Sequence, residues 1–164
     1  MIKSIADSLD IRWMIRRDLP EVLEIERRSF NEPWDEDDFI SCLRKRNCIG
    51  RVAEHEERIA GYMLYELRKS SIYIINFAVH PDFRRRGVGR SMMEEVASKL
   101  CPQRRTRISL HVRETNLAAQ LFFREVGLRA TKICRSFEND GEDAYRFEYR
   151  LSNRLAGKLN GGAE

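Results

Sequence analysis

Val88, Met92, Val96 and Leu100 recur at steps of four with Met93 and Ala97 beside them, which predicts a helix over 88–100 with one buried face. Pro102 follows and is expected to stop it. The stretch 108–113 alternates instead, with Ile108, Leu110 and Val112 on one face and Ser109, His111 and Arg113 on the other, as a strand does. Toward the start, 11–16 predicts a short strand, and Asp18-Leu19-Pro20 opens a helix running to Ser29 that Asp18 is placed to cap. A second helix fits 35–46. The runs 49–54, 59–67 and 72–79 predict three strands in a meander, the first two joined by a hairpin turn at Glu56 and Glu57. Residues 116–126 predict another helix, closed by Gly127 in a left-handed conformation. Two antiparallel strands over 128–137 and 144–151 then flank Asn139-Asp140-Gly141.

Strands and helices thus interleave without a repeat or linker, which predicts one α/β domain over 1–155 and a flexible tail over 156–164. The 164 residues are 42% hydrophobic and 34% charged, a balance that folds and stays in water. No uncharged apolar run approaches the roughly 18 residues of a membrane helix, so a cytoplasmic protein with no membrane partner is expected. Cys42, Cys48, Cys101 and Cys134 show no CxxC spacing, and His55, His80 and His111 do not complete a ligand pattern with them. Reduced thiols and no metal are expected. Lys and Arg total 30 against 26 Asp and Glu, a formal +4 that points to an anionic partner.

The densest chemistry lies where a strand ends, the chain turns at His80-Pro81-Asp82, and Arg84-Arg85-Arg86-Gly87-Val88-Gly89-Arg90 opens into the helix. Backbone N–H groups at a helix start, with glycines that let a ligand approach, suit phosphate binding. Four of the 30 basic residues fall within 84–90, equal to the whole formal excess. A phosphate loop of the Gly-Lys-Ser/Thr kind is excluded, and the dinucleotide fingerprint fails because its third glycine position is Met92. The bland alternative is a solvated basic face or a nucleic-acid contact. The order of strand, turn, glycines and helix favours the ligand loop, and no basic surface with interleaved aromatics supports nucleic acid.

Arg84-Arg85-Arg86-Gly87-Val88-Gly89 resembles the acyl-CoA pyrophosphate loop of the GNAT N-acetyltransferases, whose pattern is Arg or Gln, two residues, Gly, one residue, Gly or Ala. Asn116, Ala119 and Gly127 stand at the spacing of that family's fourth helix. Phe30-Asn31-Glu32-Pro33-Trp34 resembles the Phe-x-x-Pro-Trp turn of ribosomal-protein alanine acetyltransferases, the RimI type. Asp140-Gly141-Glu142-Asp143-Ala144-Tyr145 resembles a turn of protein N-terminal acetyltransferase catalytic subunits. The resemblance implies the GNAT fold, a mixed and mostly antiparallel sheet of about seven strands with four helices. Its order is strand, two helices, three strands, helix, strand, helix, two strands. It implies acetyl-CoA as cosubstrate, its pantetheine arm pairing with main-chain groups of Phe77, Ala78 and Val79. Arg84, Arg85, Arg86, Gly87, Val88, Gly89 and Arg90 would hold the pyrophosphate, and Asn116 and Phe123 complete the implied coenzyme set.

Two positions depart from the RimI pattern. Its glutamate base on the fifth strand is His111 here, a residue also found there in eukaryotic-type N-terminal acetyltransferases, and its tyrosine acid on the fourth helix is Phe123. Losing one general acid costs roughly 10²–10⁴ in rate, and a thiol of pKa about 8.5 leaves tolerably as thiolate. His111 is the expected base, with Tyr73 and Tyr145 as backups. An α-amine of pKa about 7.7–8.0 suits a base of histidine strength better than a lysine of about 10.4, which favours protein N-termini, such as that of a ribosomal protein. The expected enzyme is a monomer or weak homodimer. Its rivals are a small-amine acetyltransferase and a catalytically weak acyl-CoA-binding module. The acids Glu32, Asp35, Glu36, Asp37 and Asp38 read mainly as a helix cap, and Phe30 and Trp34 as core.

Overall fold

The computed structural model describes residues 3–151; the expected tail at 156–164 lies outside the described residues. The seven strands are β1 (Asp10–Trp13), β2 (Cys48–His55), β3 (Arg58–Leu67), β4 (Ser71–Val79), β5 (Arg107–Arg113), β6 (Arg129–Cys134) and β7 (Ala144–Arg150). The helices are α1 (Leu19–Ser29), α2 (Glu36–Leu43), α3 (Val88–Ala97) and α4 (Leu117–Glu125). The strands hydrogen-bond in the order β1-β2-β3-β4-β5-β7-β6, the mixed sheet expected: β4 and β5 are parallel, whereas β1–β2, β2–β3, β5–β7 and β6–β7 are antiparallel.

The described residues divide into two compact units, 3–67 with 74–98 and 68–73 with 99–151. In the first, Leu19, Val22 and Ile25 of α1 and Phe39 and Cys42 of α2 bury against Val52, Ile59, Tyr62 and Leu64, with Phe30 and Trp34 packed on this core as expected. Trp34, Phe39 and Tyr62 continue it edge to face, with ring centroids 5.3 and 5.7 Å apart. The hairpin turn between β2 and β3 has positive φ at both Glu56 and Glu57, the backbone that matches strand twist. At Gly61 of β3 an added Cβ would meet Met92 Sδ at 2.8 Å and the Ala78 carbonyl at 3.0 Å, so the missing side chain lets α3 lie close on the sheet. In the second unit, Ile108, Leu110, Val112, Phe123, Leu128, Phe147 and Tyr149 are buried.

Several local expectations are corrected. Asp18 does not cap α1: its backbone is itself helical, and its carboxyl accepts Arg12 Nη1 and Nη2 at 2.8 and 2.9 Å and the Ile15 N–H at 2.9 Å. Burial pushes that carboxyl up, but the Arg12 bonds outweigh it and hold it below its ordinary range. β1 ends at Trp13 because Arg16–Asp18 already turn as a 3-10 segment. α2 starts after Asp35, whose side chain trades bonds with Asp38 in a capping box, and stops at Leu43, short of 46, where the Lys45 N–H closes a turn on the Cys42 carbonyl. α3 ends at Ala97, before Pro102 can act, with the Ser98 hydroxyl on the Glu95 carbonyl. β6 ends at Cys134 rather than 137, because Ser136 and Asn139 take positive φ in the turn that follows. Ser109, on the face opposite Ile108, Leu110 and Val112, is buried as well.

One buried carboxyl ties the first unit together. Glu26 of α1, only 2% exposed, accepts the Asn76 Nδ2 of β4 at 2.9 Å, the Trp34 N–H at 3.1 Å and the Tyr62 hydroxyl of β3. Glu26→Ala would strand two buried donors, on Tyr62 and Asn76, and the part-buried Trp34 N–H, and a buried donor costs about 1–3 kcal/mol when unpaired. Urea unfolding is expected to show at least about 2 kcal/mol lost, against near-wild-type stability for the exposed Glu24→Ala.

Candidate active site

The loop before α3 is built from strained backbone and short-range bonds. His80 Nδ1 accepts the Asp82 N–H at 3.0 Å, and Phe83 is buried, with the Arg58 and Arg86 guanidinium carbons 4.8 and 5.6 Å from its ring centre. Arg85 and Gly87 both have positive φ, at 59° and 87°. The Arg86 carbonyl accepts the Ile5 N–H at 2.9 Å, and Arg86 Nε donates to the Lys3 carbonyl at 3.3 Å, so the N-terminal segment braces the loop. Gly87 is the residue before α3 and offers no side-chain oxygen to its first N–H groups, and no acid stands in the first turn. A helix start left in this way favours an anion, and exposed Arg85 and Arg90 add charge.

Of the strand ahead of the loop, Ala78 is buried and Phe77 and Val79 are half-buried. The Phe77 N–H is held by the Asn76 Oδ1 at 2.9 Å, and the Val79 carbonyl by Arg84 Nε at 3.2 Å. The β4–β5 register runs through Ser71, Ile72 and Tyr73 and goes no further. Asn116 caps α4, its Oδ1 accepting the Ala119 N–H at 3.1 Å, and Phe123 is buried with its ring edge-on to Phe122 at 5.0 Å.

In the second unit, the parallel register sets Tyr73 beside Ser109, two residues from His111 on the same face. The Tyr73 hydroxyl and His111 Nδ1 lie 2.6 Å apart, and Phe137 stacks on the imidazole at 4.3 Å. Burial, then the charges of Arg146, Arg68 and Lys132, push the His111 pKa below the ordinary histidine value of 6.5. Burial raises that of Tyr73, which keeps the phenol neutral. Tyr145 pairs with Val112 and Ile133 and so lies on the opposite sheet face from His111. The structure therefore brings Tyr73 to His111, and not Tyr145.

Beyond these, Arg113 gathers Glu138, Asp140 and Glu142 from the turn before β7, while Glu142 also accepts the Thr115 hydroxyl. That clamp positions the turn carrying Phe137. Neither Phe137 nor Glu26 was singled out as a site residue by sequence. Glu26 leaves a signal, a lone acid on the helical stripe of Leu19 and Val22; Phe137 leaves none, since its place depends on the turn.

The description "Acetyltransferase (GNAT) family" matches residues 19–128. The chain is 31% identical over 137 residues to a Bacillus subtilis protein described as a candidate ribosomal protein bS18-alanine N-acetyltransferase, covering 82% of this chain and 90% of that one. It is 29% identical over 120 residues to the ribosomal protein bS18-alanine N-acetyltransferase of Salmonella typhimurium, covering 73% and 80%. The crystal structure of the ribosomal-protein-S18-alanine N-acetyltransferase from Escherichia coli superposes with a TM-score of 0.77 at 25% identity, over 88% of this chain and 94% of that one.

Gly87→Ala would place a Cβ at positive φ and 3.1 Å from Ser4 Oγ. It is expected to lower stability by about 1–2 kcal/mol in thermal or urea unfolding.

Proposed function

The chain belongs to the acetyltransferase (GNAT) family and is an N-acetyltransferase, and from that premise we propose that it moves the acetyl group of acetyl-CoA to the α-amine of a protein N-terminus, of the ribosomal-protein type. The observation that carries this reading is the Tyr73–His111 pair, a neutral imidazole anchored by a neutral phenol. With Nδ1–H donating to the Tyr73 oxygen, Nε2 keeps its lone pair and takes the amine proton, directly or through one water; the role assigns this tautomer. The amine nitrogen attacks the thioester carbonyl, the C–S bond breaks, and the thiolate leaves with the electron pair. Phe123 has no proton to give, and a thiolate of pKa about 8.5 needs none to depart.

The pyrophosphate would sit on the N–H groups of 85–90 and the charges around them, and the pantetheine arm along Phe77, Ala78 and Val79. The Phe77 N–H would then exchange its bond to Asn76 for one to the ligand. Asn116, already a cap, would offer its amide N–H to the coenzyme. A low-pKa histidine cannot deprotonate a lysine ammonium well, whereas an α-amine is partly neutral at pH 7–8, which supports an N-terminal acceptor.

Incubated with acetyl-CoA, N-terminal peptides are expected to gain one acetyl group by mass spectrometry while spermidine and aminoglycosides do not. The absence of product from every peptide would falsify the reading. His111→Ala is expected to lower kcat/KM roughly 10²–10⁴-fold, and unchanged turnover would remove His111 from the mechanism. Because the folded His111 pKa is depressed, the imidazole stays unprotonated to lower pH than free histidine. The acid limb of kcat/KM assigned to it should therefore fall below pH 6.5, with a further rise toward about 8 as the acceptor amine loses its proton. An enzymatic limb above 6.5 that survives in His111→Ala belongs to another group.

A further inference from the structure

The sheet register of the second unit assembles a charge pattern that sequence order hides. His111 of β5 stands opposite Arg146 of β7, and Arg146 stands opposite Lys132 of β6, so the three form one row across adjacent strands on one face. The neighbouring rows add Arg107 opposite Arg150, and Glu148 opposite Arg129. Glu148 is the single acid that β5, β7 and β6 place on this face. It is shared by Arg146 at 3.0 Å and Arg150 at 3.5 Å. The turn acids Glu138, Asp140 and Glu142 are gathered on Arg113. Arg129 and Lys132 are exposed and make no ion pair among the described residues, and the Arg107 and Arg146 Nε atoms are buried without a hydrogen-bond partner. The field at His111 is correspondingly cationic.

From this charge complementarity we infer that the face around His111 is a docking surface for an acidic N-terminal segment, an acceptor polypeptide carrying Asp or Glu at its second or third residue. The inference rests on the proposed α-amine acceptor and names its class. Adjacent strands lie about 4.8 Å apart, so Arg146 and Lys132 stand roughly 5 and 10 Å along the row from His111. An extended peptide advances about 3.3–3.6 Å per residue and turns successive side chains to opposite sides, so with its amine at His111 either the second or the third side chain, and not both, faces this row of cations. A single-stranded nucleic acid fits less well. The Phe137 ring is engaged on the imidazole and the Tyr73 ring by the Arg68 guanidinium carbon at 4.3 Å, which leaves few open rings for stacking bases.

Peptides identical but for Asp, Asn or Lys at position two, and a second set varied at position three, test this in two ways. Fluorescence anisotropy of the labelled peptides reads docking, and acetyl transfer reads function. Affinity is expected to rank Asp over Asn over Lys in at least one set, with roughly three- to tenfold between Asp and Asn, narrowing as salt is raised. Lys132→Glu, on an exposed edge position, should reverse the order of Asp and Lys, and Lys132→Gln should compress it. Equal affinity across both sets, or a ranking indifferent to both Lys132 variants, would overturn the surface even if every peptide were acetylated. Acid-selective docking without acetylation would sustain the surface and sink the acceptor reading. A single-stranded RNA that displaces the Asp peptides at lower concentration than the peptides bind would assign the face to nucleic acid instead and overturn the proposal.

Discussion

The carboxyl of Glu26 is the point on which the first unit hangs. It lies inside a core of Val22, Ile25, Phe39 and Tyr62, where a polar group is tolerated only when its bonds are made. Its partners come from three places, the strand β3, the strand β4 and the turn at Trp34, so one side chain of α1 fixes the spacing of all three. Asn76 passes the constraint on, because the amide that donates to Glu26 has its oxygen on the Phe77 N–H. The Tyr62 hydroxyl is pushed far above its ordinary pKa by burial and by Glu26, which keeps it a donor. The strand that leads into the loop before α3 is thereby held from the helix side, and the loop inherits a fixed starting point.

Charge organises the rest, at two scales. Within 84–90, the arginines surround a helix start, and backbone N–H groups supply direction that side chains alone would lack. Around His111 the cations are gathered from separate strands: Lys132 and Arg146 are fourteen positions apart and meet only through the β6–β7 ladder. The formal +4 equals the arginines of the loop, yet that equality conceals a second concentration of cations that Glu148 alone among the strand residues of its face offsets. Net charge counts residues and is blind to where a fold puts them.

What could be read along the chain was whatever is decided within a few residues. The steps of four from Val88 to Val96 in α3, the N-cap at Asp35 and the left-handed Gly127 are local, and each appears as expected. Asp18 failed because its competitor, Arg12, sits six residues back across a turn, and a cap bond is weaker than a two-pronged guanidinium. Alternation gives Ser109 a face and not what covers it, and there it is buried. The loop at 84–90 was legible for the same local reason. The Tyr73–His111 pair was legible only as two separate residues: their meeting needs the parallel β4–β5 register, which no periodicity encodes. Phe137 needed still more, a turn whose positive φ values at Ser136 and Asn139 send its ring over the imidazole.

β6 is the last strand of the sheet order, and its outer side carries hydrogen-bonding groups that no further strand of the chain takes up among the described residues. Such a border invites another polypeptide to add itself, which is how folded proteins come to associate indiscriminately. Here Arg129 and Lys132 stand on it, flexible, hydrated and of like sign, so two copies brought edge to edge would set cation against cation. The charges arrayed beside His111 thus also act as a guard: they discourage the protein from recruiting itself at the border where the sheet is least finished.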